Sequence, residues 1–379
     1  MPVDKDRRNV EDGLDRAFSG DPEKTTTVKR CYDLETAKVV IFSDHHRGSG
    51  DGADDFRDCL RAYSAALGYY LEAGYTLVLL GDVEDLWECR PGPVIRNYRN
   101  NLLLEAEFLQ QREPRYYRVY GNHDDLWRDS KAINKYFQAQ MPGHPEIAVT
   151  ESLRLILNGQ QGEEYRFFLV HGHQGTFDSD RFGDISRFFV RYVWRPLQRV
   201  IKFKSTTPAK DERLKSAHDV AMYSWALEKW KGNDPEKAVL IAGHTHQPVF
   251  SSKTFVMKLK EDLARLRESA AATPLDAAWK KAEVEEEIAK KRAELEFFRA
   301  EHGDSIDDGE YACYFNTGCC SFGDGDVTAL EISDGEIKLV RWPDDLGRPK
   351  AKVLEGAKIS KVFEPLEALA GLAARNADR

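Results

Sequence analysis

The chain has 379 residues, of which 41% are hydrophobic and 31% charged, and its formal net charge is -9. This length buries a sizeable core without disulfides, and six cysteines without a CxxC pair exclude a disulfide framework or zinc finger and suit a reducing compartment. No stretch is apolar enough for a signal peptide or a membrane span, so we expect a cytoplasmic protein, and the acidic surplus argues against specific nucleic-acid binding.

Five short apolar runs along the chain each end in a polar cluster. They cover residues 38–46, 76–85, 117–125, 166–174 and 238–246. Runs that are apolar at every position are typical of strands buried on both faces. Between the first two runs, apolar residues recur every three or four positions over 56–71, which predicts a helix and hence a β-α-β unit. In such folds ligand chemistry gathers at the carboxyl ends of strands, which is where the polar clusters lie.

Other segments predict a mixed architecture with additions. Residues 153–170 and 327–342 are typical of hairpins, the second turning at Asp334 and Gly335. The predicted organisation is a polar N-terminal extension (1–36), an α/β domain (37–345) and a C-terminal tail (346–379). Within the domain we expect two insertions: a basic-aromatic lid at about 178–235 and a helical hairpin at about 255–302, which Thr273 and Pro274 divide.

Seven of the ten histidines fall inside the five polar clusters. They are His45, His46, His123, His171, His173, His244 and His246, and the same clusters contain Asp44, Asp82, Asp85, Asn122 and Asp124. Imidazole, carboxylate and amide groups without a thiolate suit manganese, iron or zinc in a hydrolytic site. Because phosphoryl transfer gains most from charge neutralisation and positioning, a pair of divalent ions is favoured.

The clusters form five ordered motifs. These are Asp-x-His (44–46), Gly-Asp-x-x-Asp (81–85), Gly-Asn-His-Asp (121–124), His-Gly-His (171–173) and Gly-His-Thr-His (243–246). In this order they resemble the calcineurin-like metallophosphoesterases over about residues 37–342. The resemblance implies an α/β fold of two packed mixed β-sheets flanked by helices. It also implies a metal-dependent phosphoesterase, in which a hydroxide bridging two metal ions attacks phosphorus.

Carried over residue by residue, the resemblance implies a dinuclear centre, with manganese foremost and iron or zinc as alternatives. One ion would be held by Asp44, His46, Asp82 and His246. The second would be held by Asp82, Asn122, His171 and His244, with Asp82 bridging. His123 would stabilise the developing charge or protonate the leaving oxygen, and Asp124 would orient His123.

The remaining cluster residues have less specific predictions. We expect His45 to be structural, because neighbours on an extended segment point opposite ways and His46 has the ligand position. Asp85 would support its loop or a ligand histidine. For His173, contact with the substrate and a structural role stay open.

The predicted lid carries an unusual charge pattern. Residues 181–204 contain seven basic residues against one acidic residue, with aromatic residues interleaved. Arg187, Arg191, Arg195 and Arg199 recur at every fourth position, which gives one basic helical face. Two interpretations stay open: a surface helix that packs its aromatics on the core, or a cap whose Arg187 and Arg191 contact an anionic, partly apolar substrate or an anionic membrane surface.

The layout is also similar to the UDP-2,3-diacylglucosamine pyrophosphatase branch of the family. The similarity rests on residues 81–87, the basic insert and residues 243–248. It implies cleavage of a nucleotide-linked pyrophosphate in an amphipathic substrate at the inner membrane surface. His123 departs from that branch, which commonly has arginine there. The alternatives are a nuclease-like phosphodiesterase, a general phosphomonoesterase, or a non-catalytic scaffold that binds a partner through the helical hairpin.

Overall fold

The computed structural model of the chain describes residues 2–19, 26–111, 115–175, 212–232, 234, 236–250, 255–272, 278–302, 311–344 and 349–377. Its helices are α1 (Pro2–Ser19), α2 (Leu60–Glu72), α3 (Pro91–Asn97), α4 (Arg99–Ala106), α5 (Ser130–Tyr136), α6 (Glu212–Lys231), α7 (Phe255–Ala272), α8 (Ala278–His302) and α9 (Ile359–Ala377). Short 3-10 turns lie at Asp55–Asp58, Asp125–Arg128 and Gln138–Gln140.

The strands form two mixed sheets. They are β1 (Thr27–Asp33), β2 (Lys38–Phe42), β3 (Thr76–Leu80), β4 (Tyr116–Val119), β5 (Val149–Thr150), β6 (Ser152–Asn158), β7 (Glu164–Val170), β8 (Val239–Ala242), β9 (Pro248–Val249), β10 (Tyr314–Thr317), β11 (Val327–Ser333), β12 (Glu336–Trp342) and β13 (Lys352–Lys358). The six-stranded sheet has the order β1-β6-β7-β8-β10-β9, and the seven-stranded sheet has the order β13-β12-β11-β2-β3-β4-β5. The predicted fold of two mixed sheets flanked by helices is confirmed.

Strand direction explains where the ligand loops meet. Strands β2, β3 and β4 run parallel to one another, and β7 runs parallel to β8. Alternate residues of β2 enter different cores: Val39 and Ile41 pack with the six-stranded sheet, whereas Val40 and Phe42 pack under α2 to α5. The parallel strands, buried on both faces, therefore deliver their carboxyl ends to a common edge.

The N-terminal segment differs from the predicted polar extension. Helix α1 buries Val10, Leu14, Ala17 and Phe18, which lie on one helical face, and packs against α6. Strand β1 pairs in parallel with β6 along its whole length. Most side chains of β1 face solvent at the edge of the sheet, and for that reason its polar composition concealed a strand.

The C-terminal tail is likewise part of the fold. Strand β13 pairs antiparallel with β12 and forms the edge of the seven-stranded sheet. Helix α9 follows at once and buries Ile359, Val362, Phe363 and Leu366. The four residues have helical spacing, so the tail contributes an amphipathic helix to the larger core.

The two predicted β-hairpins and the inserted helices can be located in part. The pairs β6–β7 and β11–β12 are antiparallel, and Asp334 and Gly335 both have positive φ, as a type I′ turn requires. Helices α7 and α8 contact each other, with Lys291 Nζ 3.2 Å from Asp262 Oδ2. Arg187 and Arg191 lie outside the described residues, as does the Thr273–Pro274 break.

Candidate metal centre

Both sheets place predicted ligands directly after the ends of parallel strands. Asp44 and His46 follow β2, Asp82 follows β3, Asn122 and His123 follow β4, His171 follows β7, and His244 and His246 follow β8. The structure brings these side chains together in three overlapping groups: Asp44–His46–His246, His46–Asp82–His123 and Asp82–His171–His244. Within each group the donor atoms all lie within 4.8 Å of one another.

The backbone at the ligands is strained. Asp44, His46, Asp82, His244 and His246 have φ values between +50° and +69°, and Asp334 is the one other described non-glycine residue with positive φ. Side chains rarely adopt this left-handed region, which costs of order 1–3 kcal/mol per residue. Strain concentrated at these five residues indicates a functional site, because packing alone gives no reason for it.

Two glycines allow the loops to approach one another. A Cβ at Gly81 would lie 2.5 Å from the His171 ring, and a Cβ at Gly243 would lie 2.5 Å from Asp44 Oδ2. Real Cβ atoms do not come this close to other heavy atoms. Gly81 and Gly243, the first residues of their motifs, are therefore needed for neighbouring ligand loops to touch.

The first group has the spacing of ligands around one cation. The His46 Nε2 and His246 Nε2 atoms are 3.0 Å apart, and His246 Nε2 lies 3.2 Å from Asp44 Oδ1. His46 Nε2 lies 3.8 Å from the same carboxylate oxygen. A divalent ion with bonds of about 2.1 Å holds adjacent ligand atoms about 3 Å apart, which agrees with these separations.

The other two groups share Asp82. Its Oδ2 atom lies 3.1 Å from His171 Nε2 and 3.8 Å from His46 Nε2, so this carboxylate stands between His171 and the first group. His171 Nδ1 donates to the Leu80 carbonyl at 2.8 Å. That bond fixes the tautomer in which Nε2 presents its lone pair to the site.

Three buried atoms test whether these residues fit a metal ion. Asp44 Oδ1, Asn122 Oδ1 and His171 Nε2 are among the buried polar atoms of the described residues that have no hydrogen-bond partner. Burying such acceptors without a partner costs free energy, and all three belong to predicted ligands. A carboxylate, an amide oxygen and an imidazole nitrogen are donors that a borderline divalent cation accepts, so the residues fit.

The protonation states agree with this interpretation. Burial would raise the pKa of Asp44 and of Asp82, yet the facing imidazoles, chiefly His246 for Asp44 and His171 for Asp82, hold both well below the usual range. Burial, together with neighbouring His218, holds the pKa of His244 well below its ordinary value. The carboxylates are thus ionised and His244 is neutral, the forms that bind metal. Burial would lower the pKa of His171, but Asp82 and Asp44 raise it to about 10, so metal binding there would displace a proton.

His123 is oriented by Asp85 and by an indole ring. Its Nδ1 atom lies 3.0 Å from Asp85 Oδ1, and its ring stacks on Trp87 with centroids 4.4 Å apart. Burial would lower the pKa of His123, but Asp82 and the hydrogen-bonded Asp85 raise it to about 9. These two carboxylates therefore favour the protonated form of the imidazole.

The prediction that Asp124 orients His123 is wrong. The Asp124 carboxylate accepts hydrogen bonds from the backbone N–H groups of Gly121 at 2.6 Å and Val83 at 3.0 Å. It also lies 3.5 Å from Arg118 Nη2. The chain turns after His123, so the side chain of Asp124 holds the loop that follows β3 and does not reach the imidazole.

Asp124 belongs to a buried ionic network beneath the loops of the seven-stranded sheet. Arg118 pairs with Glu84, and Arg47 pairs with Glu105 and lies 3.7 Å from Glu84. Trp127 Nε1 donates to Glu84 Oε2 at 2.8 Å. Both arginines are fully buried, so their charges are balanced by these carboxylates.

His45 and His173 lie beside the centre, outside the three donor groups. The buried ring of His45 packs edge-to-face on Tyr63 at 4.6 Å, which agrees with a structural role. The His173 ring lies 5.4 Å from that of His171, and burial together with His171 lowers the pKa of His173 to about 3. His173 is therefore a neutral imidazole at the edge of the site.

Sequence reasoning missed His218 and Asp219 of helix α6. His218 Nε2 donates to the Gly172 carbonyl at 2.7 Å, and its ring lies 5.1 Å from that of His244. Asp219 accepts a hydrogen bond from Thr245 Oγ1 at 3.0 Å. The one signal in the sequence is a His-Asp pair interrupting the apolar side of an otherwise ordinary helix.

Two mixed sheets with histidines and aspartates clustered at the ends of their strands define an α/β protein with a candidate metal-binding site. The family model of the calcineurin-like phosphoesterases matches residues 37–248, more than half of the chain, and the chain belongs to this family. No curated protein matches the chain. Of the helices that the structure describes, none combines the length and the apolarity needed to cross a membrane.

Proposed function

We propose that the protein hydrolyses a phosphoester or pyrophosphate bond at a centre of two divalent ions. The observation that carries the proposal is the position of Asp82, whose Oδ2 faces His171 on one side and His46 on the other. The first ion would be bound by Asp44, His46, Asp82 and His246, and the second by Asp82, Asn122, His171 and His244. Manganese suits this mixed donor set best, with iron and zinc as alternatives.

The ions would supply charge neutralisation at the phosphate and a lowered pKa for a bound water. The chain contributes the rest. Asp44 and Asp82 offer ionised carboxylates in a buried site, and the Leu80 carbonyl holds His171 in its ligating tautomer. Because these groups are fixed before substrate arrives, little reorganisation is needed during the reaction.

His123 is the proposed general acid. Its Nδ1 proton is engaged by Asp85, and stacking on Trp87 restricts rotation of the ring. Nε2 is therefore the nitrogen available to donate a proton to the leaving oxygen. Asp85 takes the orienting role that the sequence assigned to Asp124.

The proposed substrate is anionic and partly apolar, of the pyrophosphate or phosphodiester class. The support is in the sequence: residues 181–204, with Arg187 and Arg191, join β7 to α6 and so lie in the chain between His171 and His218. A similar basic-aromatic insert accompanies the UDP-2,3-diacylglucosamine pyrophosphatase branch. We include contact with an anionic membrane surface from the cytoplasmic side in this proposal, and vesicle binding by the Arg187→Ala/Arg191→Ala variant tests it.

A substrate panel tests the reaction. The purified protein is given manganese, iron, zinc or magnesium separately and offered a bis-aryl phosphate, a mono-aryl phosphate and a nucleotide-sugar pyrophosphate. We expect manganese-dependent turnover, fastest on the pyrophosphate or the diester. A preference for the mono-aryl phosphate would instead assign a phosphomonoesterase. An oligonucleotide is added to the panel, and its cleavage would assign a nuclease-like enzyme.

Asp82→Ala provides the decisive variant. Losing the carboxylate between the two groups removes several kcal/mol of charge stabilisation, so turnover should fall by about 10³-fold or more. Asp262→Ala, which removes an aspartate of helix α7, is the control and should leave turnover unchanged. A wild-type protein that is fully loaded with metal yet hydrolyses no member of the panel would contradict the proposal and favour the scaffold alternative.

A further inference from the structure

Helix α6 holds both histidine-bearing loops of the six-stranded sheet through two consecutive residues. His218 donates to the carbonyl of Gly172, the residue between His171 and His173. Asp219 accepts from the hydroxyl of Thr245, the residue between His244 and His246. One turn of helix α6 thus forms a hydrogen bond with the central residue of each His-x-His segment.

The loop of the first motif lies directly on the helix. Gly172 has a φ of +108°, and a Cβ there would lie 3.2 Å from Met222 Sδ, one turn further along α6. The loop therefore lies against helix α6 at Met222 as well as at His218. A shift of His218 would be transmitted to the carbonyl immediately following His171.

The second contact is anchored from the opposite side. Asp219 is 3% exposed and also accepts a hydrogen bond from Tyr314 at 2.7 Å. Asn316 Nδ2 donates to the Gly243 carbonyl at 2.7 Å and lies 3.2 Å from Thr245 Oγ1. Strand β10 and helix α6 together hold the segment in which His244 and His246 have left-handed backbone.

We propose that His218 and Asp219 are positioning residues that set the metal affinity of the centre. The inference rests on the proposed function. Neither residue belongs to the ligand set; each acts through the loop that it holds, His218 on His171 and Asp219 on His244 and His246. Partners that orient metal ligands typically contribute 10–100-fold in metal affinity.

The variants separate positioning from plain structural support. His218→Phe keeps an aromatic ring but removes the donor to Gly172, whereas His218→Gln keeps a donor. Trp230→Phe is the matched control, because Trp230 is buried on the same helix and its indole donates to the Ala238 carbonyl at 3.1 Å, away from the histidine loops. Thr245→Val changes the second contact with little change of volume.

The readout is binding of Mn²⁺ to the metal-free full-length protein, measured by calorimetric titration, with the Tm of the metal-free form recorded alongside. We expect His218→Phe to weaken Mn²⁺ binding by about 10–100-fold and His218→Gln to restore most of it. Thr245→Val should also weaken binding, by about tenfold. Trp230→Phe should lower Tm without changing Mn²⁺ affinity.

Two results would overturn the inference. One is equal Mn²⁺ affinity in His218→Phe and Trp230→Phe; the other, which serves if His218→Phe fails to fold, is wild-type affinity in Thr245→Val. The wild type and Asp82→Ala are titrated in parallel. If the wild type binds no divalent ion, the proposed function itself fails. If the wild type binds Mn²⁺ and the α6 variants bind it with the same affinity, the proposed function stands and the positioning role is contradicted.

Discussion

The two sheets support their shares of the metal centre by different chemistry. Beneath the loops of the seven-stranded sheet, the contacts are ionic and involve Arg47, Glu84, Glu105, Arg118 and Asp124. Beneath the loops of the six-stranded sheet, they are mainly hydrogen bonds among His218, Asp219, Thr245, Tyr314 and Asn316, with one carboxylate.

This difference predicts unequal sensitivity. Removing one partner of a buried ion pair leaves an uncompensated charge, which costs about 3–5 kcal/mol. Removing one neutral hydrogen bond costs about 0.5–1.5 kcal/mol, and removing one to a charged group such as Asp219 costs about 1.5–3 kcal/mol. Substitutions in the ionic half of the centre, beneath the loops of the seven-stranded sheet, should therefore lower the stability of the fold strongly. Substitutions in the hydrogen-bonded half, beneath the loops of the six-stranded sheet, should cause smaller losses and mainly shift the positions of the ligands.

Arg118→Met gives the largest expected effect on stability. It leaves Asp124 without its buried cation and Glu84 with Arg47 at 3.7 Å, so the free energy of unfolding should fall by about 3–5 kcal/mol. Urea denaturation of the metal-free protein measures it. Arg166→Met, which breaks an ion pair with Glu164 at the surface, should change the same quantity by no more than about 0.5 kcal/mol. Equal losses of unfolding free energy in the two variants would contradict the expectation that the buried ion pairs stabilise the protein more than a surface pair does.

Asp85→Asn changes a residue of the same half and should reduce catalysis, with an expected free-energy effect smaller than that of Arg118→Met. Without the carboxylate, His123 loses the partner that keeps it protonated and oriented, so kcat should fall by about 10²-fold, or roughly 2.7 kcal/mol. Metal content should stay unchanged. Because a general acid matters most for poor leaving groups, the loss should shrink for a nitrophenyl ester. A loss independent of the leaving group would contradict the assignment of His123 as the acid.

Tyr314→Phe gives the smallest effect and probes the hydrogen-bonded half. It removes one donor to the Asp219 carboxylate, which keeps its bond from Thr245, and one acceptor of Asn316 Nδ2, so the free energy of unfolding should fall by about 2 kcal/mol. Thermal and urea denaturation measure the change. A loss as large as that of Arg118→Met would show that the two halves are supported equally strongly.

The ligand loops could be predicted from the sequence because two independent signals coincide there. Apolar runs such as Val39–Phe42 indicate buried strands, and the polar residues that end them indicate chemistry at the sheet edge. The order of the motifs then specifies the family. Asp44, His46, Asp82 and the histidines that follow β7 and β8 all lie where this reasoning puts them.

Other features could not be predicted from the sequence because they depend on tertiary contacts. The apolar positions Val10, Leu14 and Phe18 do have helical spacing, but the surrounding charges concealed a helix that packs on α6. Asp85 and Asp124 are both near His123 in sequence, and only the path of the backbone decides which carboxylate reaches the ring. His218 is 25 residues from the nearest motif, so no local pattern could connect it to Gly172.

The left-handed backbone at five ligands has a consequence for directed evolution. Glycine adopts that conformation without penalty, so replacing Asp44, His46, Asp82, His244 or His246 by glycine relieves local strain while it removes a metal donor. A library of variants screened only for heat resistance in a chelating buffer would therefore enrich inactive glycine variants at these positions. Stability screens on this scaffold need a simultaneous selection for turnover, since the two pull in opposite directions at the centre.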